Sequence, residues 1–176
     1  TKLFFTGFLC KQDVNRVLVF GLGGGILPML IRHYFPFVVI DIVENDQTVI
    51  EFATNYFGFA EHKAITDRYT TTNKYDIIFI VNAFNEITAN IRNILNDNGC
   101  LVTNGDQALS LKFQSNISLV YKNNKKENTH VMICGDMHLT ERIGLKEKAI
   151  NEAKQLEISA HLEFSLAKLL SFSYQS

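Results

Sequence analysis

The sequence predicts an α/β fold: a mainly parallel sheet flanked by helices, with a C-terminal antiparallel hairpin. Three observations predict it. Short runs that are apolar almost throughout recur along the chain, as strands buried on both faces require. Segments with apolar residues at three- and four-residue spacing separate them, as crossover helices would. Four glycines fall within five residues, at 21, 23, 24 and 25, directly behind the first apolar run, and both prolines (28 and 36) follow at once.

Residues 16–21 (RVLVFG) are the first strand. Residues 25–35 (GILPMLIRHYF) form the helix behind the glycines. Pro28 sits in its first turn, where a missing N–H costs little, and Pro36 ends it. Residues 38–44 (VVIDIVE) are a second strand with an acidic end. Residues 47–57 (QTVIEFATNYF) carry apolar side chains at 49, 50, 53 and 57 and stop at Gly58. Residues 75–81 (YDIIFIV) are a third strand, and 84–95 form a helix with Ile87, Ile91, Ile94 and Leu95 on one face. Asn98-Gly99 is a turn before a strand at 100–104 (CLVTN). Residues 117–122 (ISLVYK) and 129–134 (THVMIC) flank the polar NNKKEN and read as an antiparallel hairpin. From about 140 the spacing is helical, with Leu145, Ala149, Ala153 and Leu156 on one face, and a second apolar segment covers 162–172. The expected architecture is a Rossmann-like α/β domain over 1–176. Residues 1–15 are its N-terminal lead-in and 140–176 its C-terminal helical segment.

Composition narrows the function classes. A chain of 176 residues suits one domain and buries roughly 70% of its unfolded surface. With 47% apolar residues and a formal net charge of −1, intrinsic disorder is excluded. Near-neutrality argues against a dedicated nucleic-acid binder, which carries a basic footprint. Cys10, Cys100 and Cys134 are odd in number and far apart, so neither a disulfide framework nor a zinc finger is indicated, and a reducing, cytoplasmic compartment fits. No apolar run approaches 18 residues, so no membrane span is expected. The N-terminal TKLFFTGFLCKQD lacks the marks of a signal peptide. The five histidines have no metal-ligand spacing. Tyr56, Phe57 and Phe59 read as core packing rather than a base-stacking platform.

In sheets of this kind, ligands bind beyond the carboxyl ends of the strands, where strand order reverses. The first strand–helix turn is Gly21-Leu22-Gly23-Gly24-Gly25. Glycine permits tight turning and close approach of a ligand to the backbone. The helix behind it offers N–H groups and a positive dipole end to a carboxylate or phosphate. Glu44 ends the next strand, 23 residues after Gly21. A carboxylate there can accept both hydroxyl hydrogens of a ribose. The competing reading is a merely tight turn with a solvated Glu44. The dinucleotide fingerprint G-x-G-x-x-G would place a glycine where this chain has Ile26, so a mononucleoside-like cofactor fits better than NAD.

The stretches RVLVFGLGGGILPMLIRHYFP, IDIVEND and ATNYFGF resemble the spermidine-synthase-like branch of class I S-adenosylmethionine-dependent methyltransferases. Within that branch the chain is most similar to the C-terminal methyltransferase domain of the elongation factor 1-alpha lysine and N-terminal methyltransferase family. The resemblance implies S-adenosylmethionine as cofactor and a protein amine as methyl acceptor. It makes a translation factor a candidate substrate and leaves a homodimer open. It further implies that Gly21, Gly23 and Gly25, with Leu22 and Gly24 between them, line the methionine part of the cofactor. Glu44 would hold the ribose, with Asn45 and Asp46 beside it. Asp67, in AITDRY, matches the acid that contacts the adenine amine. Three departures stand out. Arg68 follows Asp67 where the family has glycine. The acid that usually ends the third strand is replaced by Val81, with Asn82 next to it as the candidate to orient an amine. The segment from Val81 to Leu95 is short for a substrate loop. Two alternatives follow. One is a polyamine aminopropyltransferase, which would need the missing acid. The other is a non-catalytic methyltransferase-fold binding module, which would not need the intact glycines and Glu44.

Overall fold

Seven strands line up side by side in the computed structural model, which describes residues 1–11, 13–60, 65–66, 72–81, 91–104, 113–122, 128–135 and 146–171. They are β1 (Arg16–Phe20), β2 (Val39–Val43), β3 (Ile65–Thr66), β4 (Tyr75–Ile80), β5 (Leu95–Asn104), β6 (Ser115–Lys122) and β7 (Asn128–Gly135). Their order is β3-β2-β1-β4-β5-β7-β6. β1 pairs in parallel with β2 on one side and β4 on the other, so strand order reverses at β1. Phe20 is level with Val43 and with Ile80, which brings the carboxyl ends of the three strands together. The hairpin is antiparallel: β6 pairs with β7, and β7 with β5. β4 is buried along its whole length, as its apolar run from Ile77 to Ile80 requires, and the one charged residue in it, Asp76, is buried too.

The helices are α1 (Ile26–Tyr34), α2 (Gln47–Phe57), the single turn α3 (Ile91–Ile94), α4 (Lys146–Ser159) and α5 (Leu166–Ser171). α1 has Pro28 in its first turn. Beyond its end, Arg32 donates to the carbonyls of Pro36 (2.8 Å) and Val38 (2.9 Å), closing the chain toward β2. α2 is bounded by an Asp46 cap, which accepts from the Thr48 N–H at 2.8 Å, and by Gly58 in the left-handed conformation (φ 71°). Ala149 and Ala153 of α4 are buried as their spacing predicts.

Three expectations need correction. Residues 1–15 are not a mere lead-in. Lys2–Leu9 form a 3-10 helix whose Leu3, Phe4, Phe5, Phe8 and Leu9 belong to the main core. The Phe8 ring stacks on Phe35 (centroids 4.1 Å apart), and Phe5 meets Tyr34 and Phe164 edge-on. Second, β5 begins at Leu95, so the Asn98-Gly99 turn is absorbed into the strand as an irregularity. From Tyr75↔Leu95 to Ile77↔Cys100, β4 advances two residues and β5 five. Asn98 takes up the bend at φ 58°. Third, Tyr56 and Phe57 are not core residues. Tyr56 is 74% exposed and packs its ring on Phe52, while Phe59 alone of the three is buried. Residues 84–90 of the predicted helix lie outside the described residues, as does Leu145. No helix among the described residues is long and apolar enough to cross a membrane.

Candidate functional site

The chain leaves β1 through a turn in which Gly21, Gly23 and Gly25 have positive φ (83°, 53° and 72°). Only glycine adopts three such conformations in five residues without strain. The turn is tied down along most of its length. The Gly21 N–H donates to the Val43 carbonyl at 2.9 Å, joining the turn to the end of β2. The Leu22 N–H donates to Glu44 Oε2 at 2.9 Å. The Gly25 N–H returns to the Leu22 carbonyl at 2.9 Å. Beyond Gly24 lies the ring of Phe57, 3.5 Å from where a Cβ would stand. Beyond Gly25 lies Phe59, so close that a Cβ would come within 2.8 Å of it. Gly23 differs: among the described residues, nothing stands within 4 Å of its absent Cβ. The open side of the turn is therefore at Gly23. α1 starts immediately behind, its N-cap is Gly25, and no side chain among the described residues caps it, so its first N–H groups and dipole end can face an anionic group.

Glu44 is not solvated. It is 4% exposed, and both its oxygens are engaged: Oε2 by the Leu22 N–H and Oε1 by the Asp46 N–H at 3.0 Å. Each carboxylate oxygen retains a further lone pair, so hydroxyl donors can still be accepted. Asn45 and Asp46 beside it are exposed, and Asp46 spends one oxygen on capping α2. β3 ends at Thr66, paired with Val43, so the chain leaves β3 level with the end of β2. Asp67 and Asn82 lie outside the described residues.

On the other side of β1, Val81 is half-buried and braced. Its N–H donates to the Phe20 carbonyl (2.9 Å), and its carbonyl accepts from Asn104 Nδ2 (2.9 Å). A carbonyl only accepts, so this bond fixes which end of the Asn104 amide faces Val81 and turns Oδ1 away from it. Sequence reasoning missed Asn104. The available signal was a polar residue ending an apolar strand at the carboxyl edge of a parallel sheet. The site thus combines an open glycine backbone, an uncapped helix start and a buried carboxylate, at the point where strand order reverses. That set can hold a ligand with vicinal hydroxyls and an anionic group.

No family model matches the chain. The eEF1A lysine and N-terminal methyltransferase of Xenopus laevis is 30% identical over an alignment of 203 positions, covering 92% of this chain and 29% of that protein. The chain thus spans less than a third of this relative's length. A polyamine aminopropyltransferase of Vibrio vulnificus (strain CMCP6) is 36% identical over 58 residues, 33% of this chain and 19% of that protein. Among solved structures, human methyltransferase-like protein 13 in complex with SAH matches with a TM-score of 0.62 at 21% identity. That match covers 93% of this chain and 89% of the other. This likeness shows the fold.

Proposed function

We propose that this chain, a methyltransferase-fold domain related to the eEF1A lysine and N-terminal methyltransferases, binds S-adenosylmethionine at the glycine turn and methylates a protein amine. The observation that carries the reading is Glu44, buried beside the open face of Gly23 where strand order reverses. Its free lone pairs suit ribose hydroxyls, and the start of α1 suits the amino-acid carboxylate. Asn45, Asp46 and Asp67 complete the cofactor side in this reading, and Asn82 orients the amine. The bound cofactor supplies a methyl group already activated on a sulfonium. The protein's part is to align a neutral amine in line with that group and to exclude water. An α-amine, with a pKa of about 8, is substantially neutral near pH 7–8, whereas a lysine at about 10.4 needs desolvation or a base. Val81, in place of an acid, suits the first more readily. The elongation factor in the relatives' names is the first acceptor to test, and three free, buried thiols suit a cytoplasmic setting.

Calorimetric titration with S-adenosylhomocysteine tests the cofactor site. Binding is expected, with affinity lowered by tenfold or more in Glu44→Ala, about one charge-assisted hydrogen bond's contribution. No binding to the native chain would overturn the reading. Methylation of recombinant eEF1A, followed by mass spectrometry, tests the acceptor; binding without transfer to it would favour a non-catalytic module. The similarity to the Vibrio enzyme supports aminopropyl transfer as a second reading. Formation of spermidine from putrescine and decarboxylated S-adenosylmethionine would establish it, and Val81 argues that none forms.

A further inference from the structure

Ligand binding is weakened when the ligand must first order a flexible loop. A turn with glycines at four of five positions is the kind of segment that would be costly to order, because glycine loses more conformational freedom than any other residue. Here the ordering is built into the fold. Val43 holds Gly21, and Glu44 holds Leu22. Phe57 lies against Gly24, and Phe59 against Gly25. Among the described residues, nothing faces the Cβ side of Gly23. Glu44 is the central tie, because it reaches in two directions. One oxygen crosses to the turn behind β1, and the other returns to its own loop at Asp46, the cap of α2. A buried carboxylate engaged by two backbone N–H groups is rigid, and it fixes both loops relative to each other.

We propose that Glu44 is a positioning residue as well as a ligand contact: it presets the glycine turn around Gly23 before the cofactor arrives. The proposal rests on the cofactor reading given above and adds a role that ribose contact alone does not contain. The two roles separate by deleting the hydroxyls from the ligand instead of the carboxylate from the protein. The probes are S-adenosylhomocysteine and its 2′,3′-dideoxy analogue, titrated calorimetrically into the native protein and Glu44→Gln. Glutamine keeps the shape and one acceptor oxygen, but presents an NH2 group to one of the two backbone N–H groups. If Glu44 acted only through the ribose, the dideoxy analogue would bind both proteins equally, and that result would overturn the proposal. The expected result is a loss of about tenfold for the analogue too, the scale of one hydrogen bond to a charged group.

Amide hydrogen exchange of the ligand-free proteins supplies the second readout. In Glu44→Gln, exchange at Leu22 or Asp46 is expected to speed up by about tenfold or more, while Val17, Leu18 and Val19 in β1 stay protected. Unchanged exchange at both amides overturns the proposal whatever the ligands do. A native protein that binds neither ligand overturns the cofactor reading, and the exchange comparison then decides the role of Glu44 in the turn. Glu44→Asp covers the case in which the glutamine variant fails to fold. It keeps the buried charge but is one methylene short of spanning both loops, and the same changes at Leu22 and Asp46 are expected of it.

Discussion

Gly23 and Gly25 look alike in the sequence and carry opposite burdens in the fold. At Gly25 a side chain meets both a left-handed backbone (φ 72°) and the Phe59 ring, 2.8 Å from its Cβ. At Gly23 the backbone objects (φ 53°), and no described residue stands in the way. Gly25→Ala should therefore destabilise the fold by about 2–5 kcal/mol, the sum of left-handed strain and overpacking. Gly23→Ala should cost about 1–2 kcal/mol from the backbone alone. Its methyl group enters the open face, so it should weaken S-adenosylhomocysteine binding out of proportion to that cost. Urea unfolding and calorimetry on both variants check the contrast; equal stability losses would show that Phe59 yields without strain. The glycine cluster and Glu44 were legible in the sequence because residue type and spacing express them. That Glu44 is buried and doubly bonded was not legible. Those bonds depend on where two loops meet, and no local pattern encodes that meeting.

At the scale of elements, periodicity recovered β1, β2, β4 and the hairpin, and failed where a segment has no polar face. Lys2–Leu9 is such a segment: every residue from Leu3 to Leu9 is buried. A helix buried all round has no apolar stripe, and a 3-10 winding does not match the 3.6-residue template in any case. The start of β5 departs from the sequence pattern for a different reason. Its irregular start at Leu95 is set by the fit around Gly99, whose Cβ would stand 2.9 Å from the Asn96 carbonyl and 3.0 Å from that of Asp76. The N-terminal segment yields a direct test. A Cβ on Gly7 would lie 2.8 Å from Val102 and 3.1 Å from Ile77, both on the stiff methyl groups of buried β-branched residues. Gly7→Ala is expected to cost about 1–3 kcal/mol in chemical denaturation. A neutral result would mean that this segment does not press on the sheet as tightly as its burial indicates.

Across the whole molecule, the carboxyl edge of the sheet holds the candidate site and the amino edge holds its main polar anchor. Asp76, at the start of β4, is 2% exposed and accepts from the N–H groups of Asn15 (2.8 Å) and Arg16 (3.0 Å), from Asn96 Nδ2 (2.8 Å) and from Lys11 Nζ (2.5 Å). One side chain thus joins the N-terminal segment, β1, β4 and β5. Burial pushes its carboxyl upward, yet Lys11 and the three N–H donors outweigh this and hold it below the ordinary value of 3.8. A carboxyl depressed in the folded state contributes stability above its unfolded pKa and loses it as pH falls through the folded one. The contribution should thus be full near pH 7 and erode below about pH 4, with the native protein tracking that decline in urea midpoints. Asp76→Asn should lower stability by about 2 kcal/mol at pH 7, the scale of lost hydrogen bonds to a charged acceptor, and flatten the acid limb. Because Asp76 sits at the opposite edge from Gly23 and Glu44, the same variant should bind S-adenosylhomocysteine at pH 7 as the native protein does. If affinity fell with stability instead, the two edges of the sheet would not be independent, and the rigidity of the glycine turn would have to be traced through β1 to the anchor at its start.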